Sequence, residues 1–118
     1  MNRPTWDEYF LDIAEAVSRR STCDRAHVGA VIVDTETKRI LATGYNGARS
    51  HDTQCDEAGH LMVGGHCSRT VHAEINAIIQ LDELFDPKRQ TLYCTHKPCD
   101  TCVHALRGMP YVYREEYP

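Results

Sequence analysis

Hydrophobic and polar positions along the chain switch between the period of a helix and that of a strand. Residues 5–21, TWDEYFLDIAEAVSRRS, have a helical pattern in which Thr5 and Glu8 show capping-box spacing. The apolar residues of this pattern recur on one face, and they are Trp6, Tyr9, Phe10, Ile13 and Val17. We therefore expect an amphipathic first helix that covers another element.

The next two segments predict a β-hairpin. Residues 28–34, VGAVIVD, form a nearly continuous β-branched run, which is typical of a strand covered on both faces. The polar stretch DTETK then turns the chain into a second strand at residues 39–46, RILATGYN.

The chain after residue 70 predicts two helices and two strands. Residues 72–84, HAEINAIIQLDEL, are helical and end before Asp86-Pro87. The expected apolar side of this helix comprises Ile75, Ile78, Ile79 and Leu81 or Leu84. A strand at QTLYCTH, a helix opened by Pro98 at PCDTCVHALRG and a strand at PYVYREEY follow. The order α-β-β-α-β-α-β predicts an α/β fold in which helices flank a mixed sheet, as one domain over residues 1–118.

Residues 46–70 show neither period and are rich in glycine, cysteine and histidine. A structureless segment of this length is uncommon in a compact domain unless it is functional or held by ligands.

Composition narrows the function more than the fold. The 118 residues are 42% hydrophobic with a formal net charge of -4, and no Lys/Arg-rich run is present. We therefore expect a small-molecule substrate and no binding to duplex nucleic acid. No stretch reaches the roughly 18 apolar residues of a membrane span, and MNRPTWDEYF lacks the profile of a signal peptide. These features predict a cytoplasmic domain without a membrane partner, and its small size favours a homo-oligomer.

The cysteines and histidines favour metal binding over disulfides. Cys99 and Cys102 are spaced i and i+3, so both sulfurs can reach one metal from one side of a helix. A lone C-x-x-C is equally a redox pair or two buried thiols, so a third ligand is required. His72 is the candidate, because an imidazole and two thiolates leave the fourth tetrahedral position of zinc for water.

Glu74 distinguishes a catalytic site from a structural one. Helix positions i and i+2 point about 200° apart, so His72 and Glu74 reach one site only from the first turn, with Thr70 as a candidate cap. A carboxylate beside activated water can pass its proton to a substrate nitrogen. A surface glutamate beside a core histidine is the alternative for this motif alone. The pattern H-x-E followed by P-C-x-x-C is typical of zinc nucleobase deaminases, and it reads HAE at 72–74 and PCDTC at 98–102.

A longer set of motifs resembles the deoxycytidylate (dCMP) deaminase family over about residues 6–117. These motifs are VGAVIVD, TGYNG at 43–47, CDEAGHLMVGGHCSRTVHAEINAI and YCTHKPCDTC. The resemblance implies a cytidine deaminase-like fold, here with a shortened C-terminal part, and zinc-dependent hydrolysis of dCMP to dUMP and ammonia. It also implies that His72, Cys99 and Cys102 bind the catalytic zinc and that Glu74 shuttles protons.

The resemblance suggests substrate contacts as well. Asn46 matches the asparagine that contacts the sugar in this family, although Asn46-Gly47 is equally an ordinary turn. The 5′-phosphate requires a cation, for which Arg25, Arg49 and Arg69 are candidates by their proximity to the motifs. Backbone amides of the glycine-rich segment are the alternative.

A second, structural zinc is predicted before His72. Cys55, His60 and Cys67, with Cys23, make a set of Cys3His type, in which His66 is an alternative to His60. Cys23 and Cys55 stand where the family places cysteine ligands, while three unliganded thiols remain the alternative.

Two further histidines and a cysteine receive plain structural interpretations. We predict Cys94 to be a core residue and His104 to face outward, and the position of His96 alone does not assign it a role.

The family is commonly hexameric and often controlled by dCTP and dTTP, so a hexamer or dimer and these effectors are expected. Three other functions stay open. The first is deamination of another cytosine-type nucleotide, and the second is a non-catalytic module that binds zinc or nucleotides. The third is a thiol redox domain that uses Cys99 and Cys102. Glu74 argues against the module, which has no chemical use for a carboxylate there.

Overall fold

A four-stranded mixed sheet with helices on both faces carries the structure, a computed structural model that describes residues 2–21, 26–47, 62–63, 66–67 and 71–116. Residues 62–63 and 66–67 are described by their backbone alone. The elements in chain order are α1 (Trp6–Ser18), β1 (Gly29–Asp34), β2 (Ile40–Tyr45), β3 (Met62–Val63), β4 (His66–Cys67), α2 (Ala73–Leu81), a 3-10 turn (Asp82–Leu84), β5 (Gln90–His96), α3 (Asp100–Leu106) and β6 (Tyr111–Glu115).

The strand order β2-β1-β5-β6 confirms the predicted mixed sheet. β1 is antiparallel to both β2 and β5, and β5 is parallel to β6. The short strands β3 and β4, which the sequence pattern did not predict, form a separate antiparallel pair.

β1 is covered on both faces, as its β-branched run predicts. Ala30 and Ile32 belong to one core, with residues of α2 and α3, and Val31 and Val33 belong to the other, with residues of α1. All four side chains are at most 1% exposed. Burial of each Val or Ile contributes about 1.5–3 kcal/mol, so this strand anchors both layers.

Helix α1 begins as predicted but is rotated from its predicted orientation. Thr5 is the N-cap, and its side chain accepts a hydrogen bond from the Glu8 backbone N–H. Ala14 and Ser18 are buried against Gly29, where a Cβ atom would lie 2.7 Å from the Ser18 nitrogen. Phe10 of the predicted face is fully buried, whereas Trp6 is 53% exposed, because the face that contains Ala14 and Ser18 lies against Gly29.

The predicted apolar face of α2 is confirmed at Leu81 and Ile78, which pack in the core, and is wrong at Ile79. The residues of α2 that are buried are Ala73, Glu74, Ala77 and Leu81. Ile79 and Leu84 are 64% and 69% exposed. The helix ends at Leu81, since Asp82 has a backbone φ of 49° that is incompatible with another helical turn.

The direction of the strands brings two distant motifs to one edge of the sheet. β2 and β5 both run antiparallel to β1, so their carboxyl ends lie at the same edge. α3 follows β5 after residues 97–99, and Val71, just before α2, pairs with Gly47, just beyond β2. No helix within the part of the chain that the structure describes is long and apolar enough to cross a membrane.

Candidate active site

His72 and Glu74 lie at the start of α2, where the sequence analysis required them. His72 is the N-cap with extended backbone angles, and its carbonyl accepts the Asn76 N–H at 3.0 Å. Because His72 is not helical, the 200° separation of regular helix positions does not apply to it. The N-cap position belongs to His72, and the predicted cap Thr70 lies outside the described residues.

Cys99 and Cys102 meet the His72 imidazole from the start of α3. Cys99 is the N-cap of that helix, so the helix begins at Asp100 and not at Pro98 as predicted. The His72 Nδ1 atom lies 3.2 Å from Cys102 Sγ and 3.4 Å from Cys99 Sγ. The ligand atoms of all three residues lie within 4.8 Å of one another.

This cluster fits a tetrahedral zinc ion. Bond lengths of about 2.05 Å to nitrogen and about 2.3 Å to sulfur give N···S separations of about 3.6 Å in a tetrahedron. The observed separations of 3.2 and 3.4 Å need only a small adjustment to reach that value. One nitrogen and two sulfur donors, with a fourth position left over, are the set expected of a catalytic zinc site.

Glu74 is buried beside two of the thiols. Its side chain is 4% exposed, and burial raises the pKa of the carboxyl group, while hydrogen bonds from Cys102 and Cys94 act in the opposite direction. Burial likewise raises the pKa of Cys102 and of Cys94, and the nearby Glu74 charge adds to both shifts. A cation in the cluster would stabilise the ionised forms that burial disfavours, so the electrostatics of the site fit a metal ion.

Cys94 is a functional neighbour that the sequence analysis missed. It is fully buried in β5, as predicted for a core residue, but its thiol also hydrogen-bonds the Glu74 carboxyl group. The period of two in β5 places Leu92 and Cys94 on the face that packs with α2, but no sequence pattern pairs Cys94 with Glu74.

Asn46 holds the turn at the end of β2. Its side chain is buried, its Oδ1 accepts the Val28 N–H at 2.8 Å, and its Nδ2 donates to the Ala26 carbonyl at 2.6 Å. The Ser21 hydroxyl donates to the Asn46 carbonyl at 2.8 Å. These bonds support the turn interpretation, and contact with the sugar stays a prediction.

The remaining histidines differ in their surroundings. His104 is exposed on α3, as predicted. His96 contacts the Thr95 hydroxyl through Nδ1 at 2.8 Å, and its Nε2 lies 3.5 Å from the Glu115 carboxylate.

Several predicted site residues lie outside the described residues, namely Cys23, Arg25, Arg49, Cys55, His60 and Arg69. Cys67 lies in β4, for which the structure describes the backbone alone. The second zinc site and the phosphate contacts therefore stay predictions.

Comparison with known proteins shows the family to which the chain belongs. The sequence profile of the cytidine and deoxycytidylate deaminase zinc-binding region matches residues 4–112. ComE operon protein 2 of Bacillus subtilis (strain 168) is 40% identical over 98% of this chain and 62% of its own length. The deoxycytidylate deaminase of Mycobacterium phage D29 is 40% identical over 90% of this chain and 89% of its own length.

The fold is shared with a solved deaminase. The crystal structure of dCMP deaminase from the cyanophage S-TIM5 in complex with dCMP and dUMP has a TM-score of 0.78 and 33% sequence identity. It covers 99% of this chain, which in turn spans 86% of that chain. With its His-Cys-Cys cluster beside a buried glutamate, the chain belongs to the zinc-binding cytidine and deoxycytidylate deaminase family.

Proposed function

We propose that this protein is a zinc-dependent hydrolase that converts dCMP to dUMP and ammonia. The observation that carries the proposal is the convergence of His72, Cys99 and Cys102 on one point next to the buried Glu74. The deoxycytidylate deaminase names of similar proteins support dCMP as the substrate. The chain spans 62% of the length of the B. subtilis relative, so the activity of the protein is stated here as a proposal.

The side chains divide the chemistry between them. Zinc held by the three ligands would leave one position for water and lower the pKa of that water to about 7. In the reaction, the oxygen of water adds to C4 of the cytosine ring, the C4–N4 bond breaks, and the amine leaves as ammonia. Glu74 takes one proton from the water and delivers it to N3. It then takes the proton of the resulting C4 hydroxyl group and passes it to the leaving amine, so that the C4 carbonyl of dUMP forms. Its burial suits this role, because desolvation raises the pKa of the carboxyl group and makes it a stronger proton acceptor.

Substrate comparison tests the proposal. Ammonia release is measured with dCMP, hydroxymethyl-dCMP, dCTP and cytidine, together with chromatography of the nucleotide product. We expect dCMP to have the highest kcat/KM and dUMP to form in equal amount to ammonia. Equal or better turnover of cytidine would contradict the monophosphate preference, and absence of turnover with all four would favour the binding module.

The phosphate contact is proposed to involve Arg25 or Arg69, with Arg49 as the third candidate. Replacing the correct arginine with alanine should raise the KM for dCMP and leave that for deoxycytidine unchanged. If none of the three variants changes the KM, backbone amides hold the phosphate instead. We also propose that Asn46 contacts the sugar with the hydrogen-bonding capacity that its contacts to Val28 and Ala26 leave over.

A second zinc bound by Cys23, Cys55, His60 and Cys67 is part of the proposal. The residue types suit zinc, and the β3–β4 pair that contains Cys67 provides regular backbone at one of the ligands. Two zinc ions per chain by elemental analysis would support it. One zinc ion per chain would contradict it.

The assembly is proposed to be a homo-oligomer, a hexamer or a dimer. Ile79 and Leu84 expose large apolar side chains, and burial against another copy would remove them from water. Light scattering with and without dCTP or dTTP tests both the assembly and the effectors. A monomer at all concentrations, unaffected by either nucleotide, would contradict this part. A cytoplasmic location likewise stays a prediction, for which cell fractionation is the test.

A further inference from the structure

The outer edge of β2 and its continuation to Gly47 hold the helix that carries His72 and Glu74. Gly47 and Val71 exchange backbone hydrogen bonds of 3.1 and 2.8 Å immediately before His72. One turn into α2, the Asn76 Nδ2 donates to the Tyr45 carbonyl at 2.8 Å.

A third contact continues the same line. The Gln80 Nε2 donates to the Thr43 carbonyl at 2.7 Å. Four residues of an α-helix rise about 6 Å, and two residues of a strand extend about 6.8 Å. Asn76 and Gln80 therefore bond successive outward carbonyls of β2, with the Asn76 bond at the end of α2 that carries the site and the Gln80 bond one turn farther from it.

Gly44 sets the distance between α2 and β2. A Cβ atom at this position would overlap the Ala73 carbonyl oxygen and lie 2.7 Å from the Ala77 nitrogen. Ala73 stands between His72 and Glu74, so any displacement of its backbone moves both functional residues. Only glycine lets the first turn of α2 lie this close to the strand.

The two halves of the site come from different parts of the sheet. His72 and Glu74 depend on β2 through α2, whereas Cys99 and Cys102 follow β5 into α3. Glu74 and Cys99 are separated in the chain by residues 75–98, so the distance between the two halves of the site depends on how α2 is held against the sheet. We propose that Gly44 and Asn76 are positioning residues, which set the register and height of α2 on β2 and thereby place the His72 imidazole and the Glu74 carboxylate against the two thiols.

The chain offers matched controls for both residues. Gly29 makes the corresponding close contact with α1 on the opposite face of the sheet, where Ala14 and Ser18 lie. Gln80 makes the same kind of amide-to-carbonyl bond as Asn76, but it does so one turn farther from the site. Neither control contacts the His-Cys-Cys cluster or its glutamate.

The experiment compares Asn76→Ala with Gln80→Ala and Gly44→Ala with Gly29→Ala in the full-length, zinc-loaded protein. Three readouts are measured: zinc affinity by chelator competition, kcat and KM for dCMP, and the denaturant midpoint of unfolding. We expect Asn76→Ala and Gly44→Ala to weaken zinc binding at least about 10-fold. They should also lower kcat by up to about 100-fold, because a catalytic group misplaced by about 1 Å loses about that much rate. KM should change less than about 3-fold. The controls should lose stability but keep zinc affinity and kcat within about 3-fold of the parent.

The outcomes separate positioning from general stability. Loss of zinc affinity in the controls to the same extent would overturn the proposal, as would normal zinc affinity and kcat in Asn76→Ala. If Gly44→Ala does not fold, the Asn76 and Gln80 pair decides. The kinetic readout rests on the proposed deaminase function, but the zinc readout does not. A parent protein without dCMP turnover would therefore contradict the proposed function and still leave the positioning proposal to be decided by zinc affinity.

Discussion

Replacing Glu74 with glutamine should abolish turnover and at the same time stabilise the zinc-free fold. The amide has the shape of the carboxyl group but carries no exchangeable acid proton and no charge. Glu74 is assigned both proton transfers, and one such transfer is worth about 10²- to 10⁴-fold in rate. We therefore expect kcat to fall by at least about 10²-fold.

The stability effect follows from the burial of the same group. Its pKa is raised in the folded state by desolvation, so the folded protein holds the proton to a higher pH than the unfolded chain does. Below the ordinary carboxyl pKa of 4.5 both the folded and the unfolded states are protonated, and the shift has no effect. As the pH rises above that value, the unfolded chain ionises first and the native protein loses stability. The glutamine variant lacks this loss, so its advantage in unfolding free energy should grow with pH from about 4.5 upward.

Three assays on one pair of proteins test both effects. Ammonia release gives kcat, elemental analysis gives the zinc content, and urea unfolding of the zinc-free proteins at several pH values gives the stability difference. The expected variant is inactive, retains zinc and is more stable when zinc-free at neutral pH. Retained activity would refute the proton-transfer role. Loss of zinc together with loss of stability would show that Glu74 supports the structure instead.

Other predictions address the neighbours of the site and the packing of α1. Cys94→Val removes the thiol that hydrogen-bonds Glu74 and should lower kcat several-fold, which corresponds to about 1 kcal/mol in the activation free energy. Cys94→Ser keeps a hydrogen-bond donor and should lower kcat less. Equal kcat values for the two variants would contradict the contact. Tyr93→Phe removes a 2.8 Å hydrogen bond to Asp7 and should cost about 1–2 kcal/mol in urea unfolding. Burial raises the Tyr93 pKa to about 12 from 10.0. The stability difference between the parent and Tyr93→Phe should therefore be present below pH 10 and vanish as the pH rises through 12. A stability difference that does not change with pH would point to packing alone. Removing zinc with a chelator should abolish activity and lower Tm, with both restored by added zinc; an unchanged Tm would mean that the metal contributes nothing to folding stability.

Close packing explains where the sequence analysis erred. The hydrophobic pattern assigned Trp6 to the core face of α1 and Ile79 to that of α2, and both are exposed. Each helix approaches the sheet over a glycine, Gly29 or Gly44, so the helix residues at these two contacts must be small. A hydrophobic pattern predicts that large apolar residues are buried before alanine. Where a helix lies close to a strand, however, only small side chains fit between them.

The candidate zinc ligands were readable from local spacing, because each motif lies within a few residues. The C-x-x-C pair and the H-x-E triplet predicted one ligand set and one carboxylate, and the alternation of elements predicted the mixed sheet that carries them. Thiol contact between Cys94 and Glu74 was not readable, since it joins positions on a strand and a helix that share no local pattern.

The sequence by itself determined the donor atoms, the glutamate and the order of elements, because these follow from residue type and short-range periodicity. Tertiary structure alone decided that His72 precedes its helix, that Glu74 is buried, and that the imidazole lies within 3.4 Å of both thiols. The physical reason is that β2 and β5 end at the same edge of the sheet, where the close approach over Gly44 and the bond from Asn76 to Tyr45 hold α2 in place. Distances of this kind depend on contacts between residues far apart in the chain, which no local pattern records.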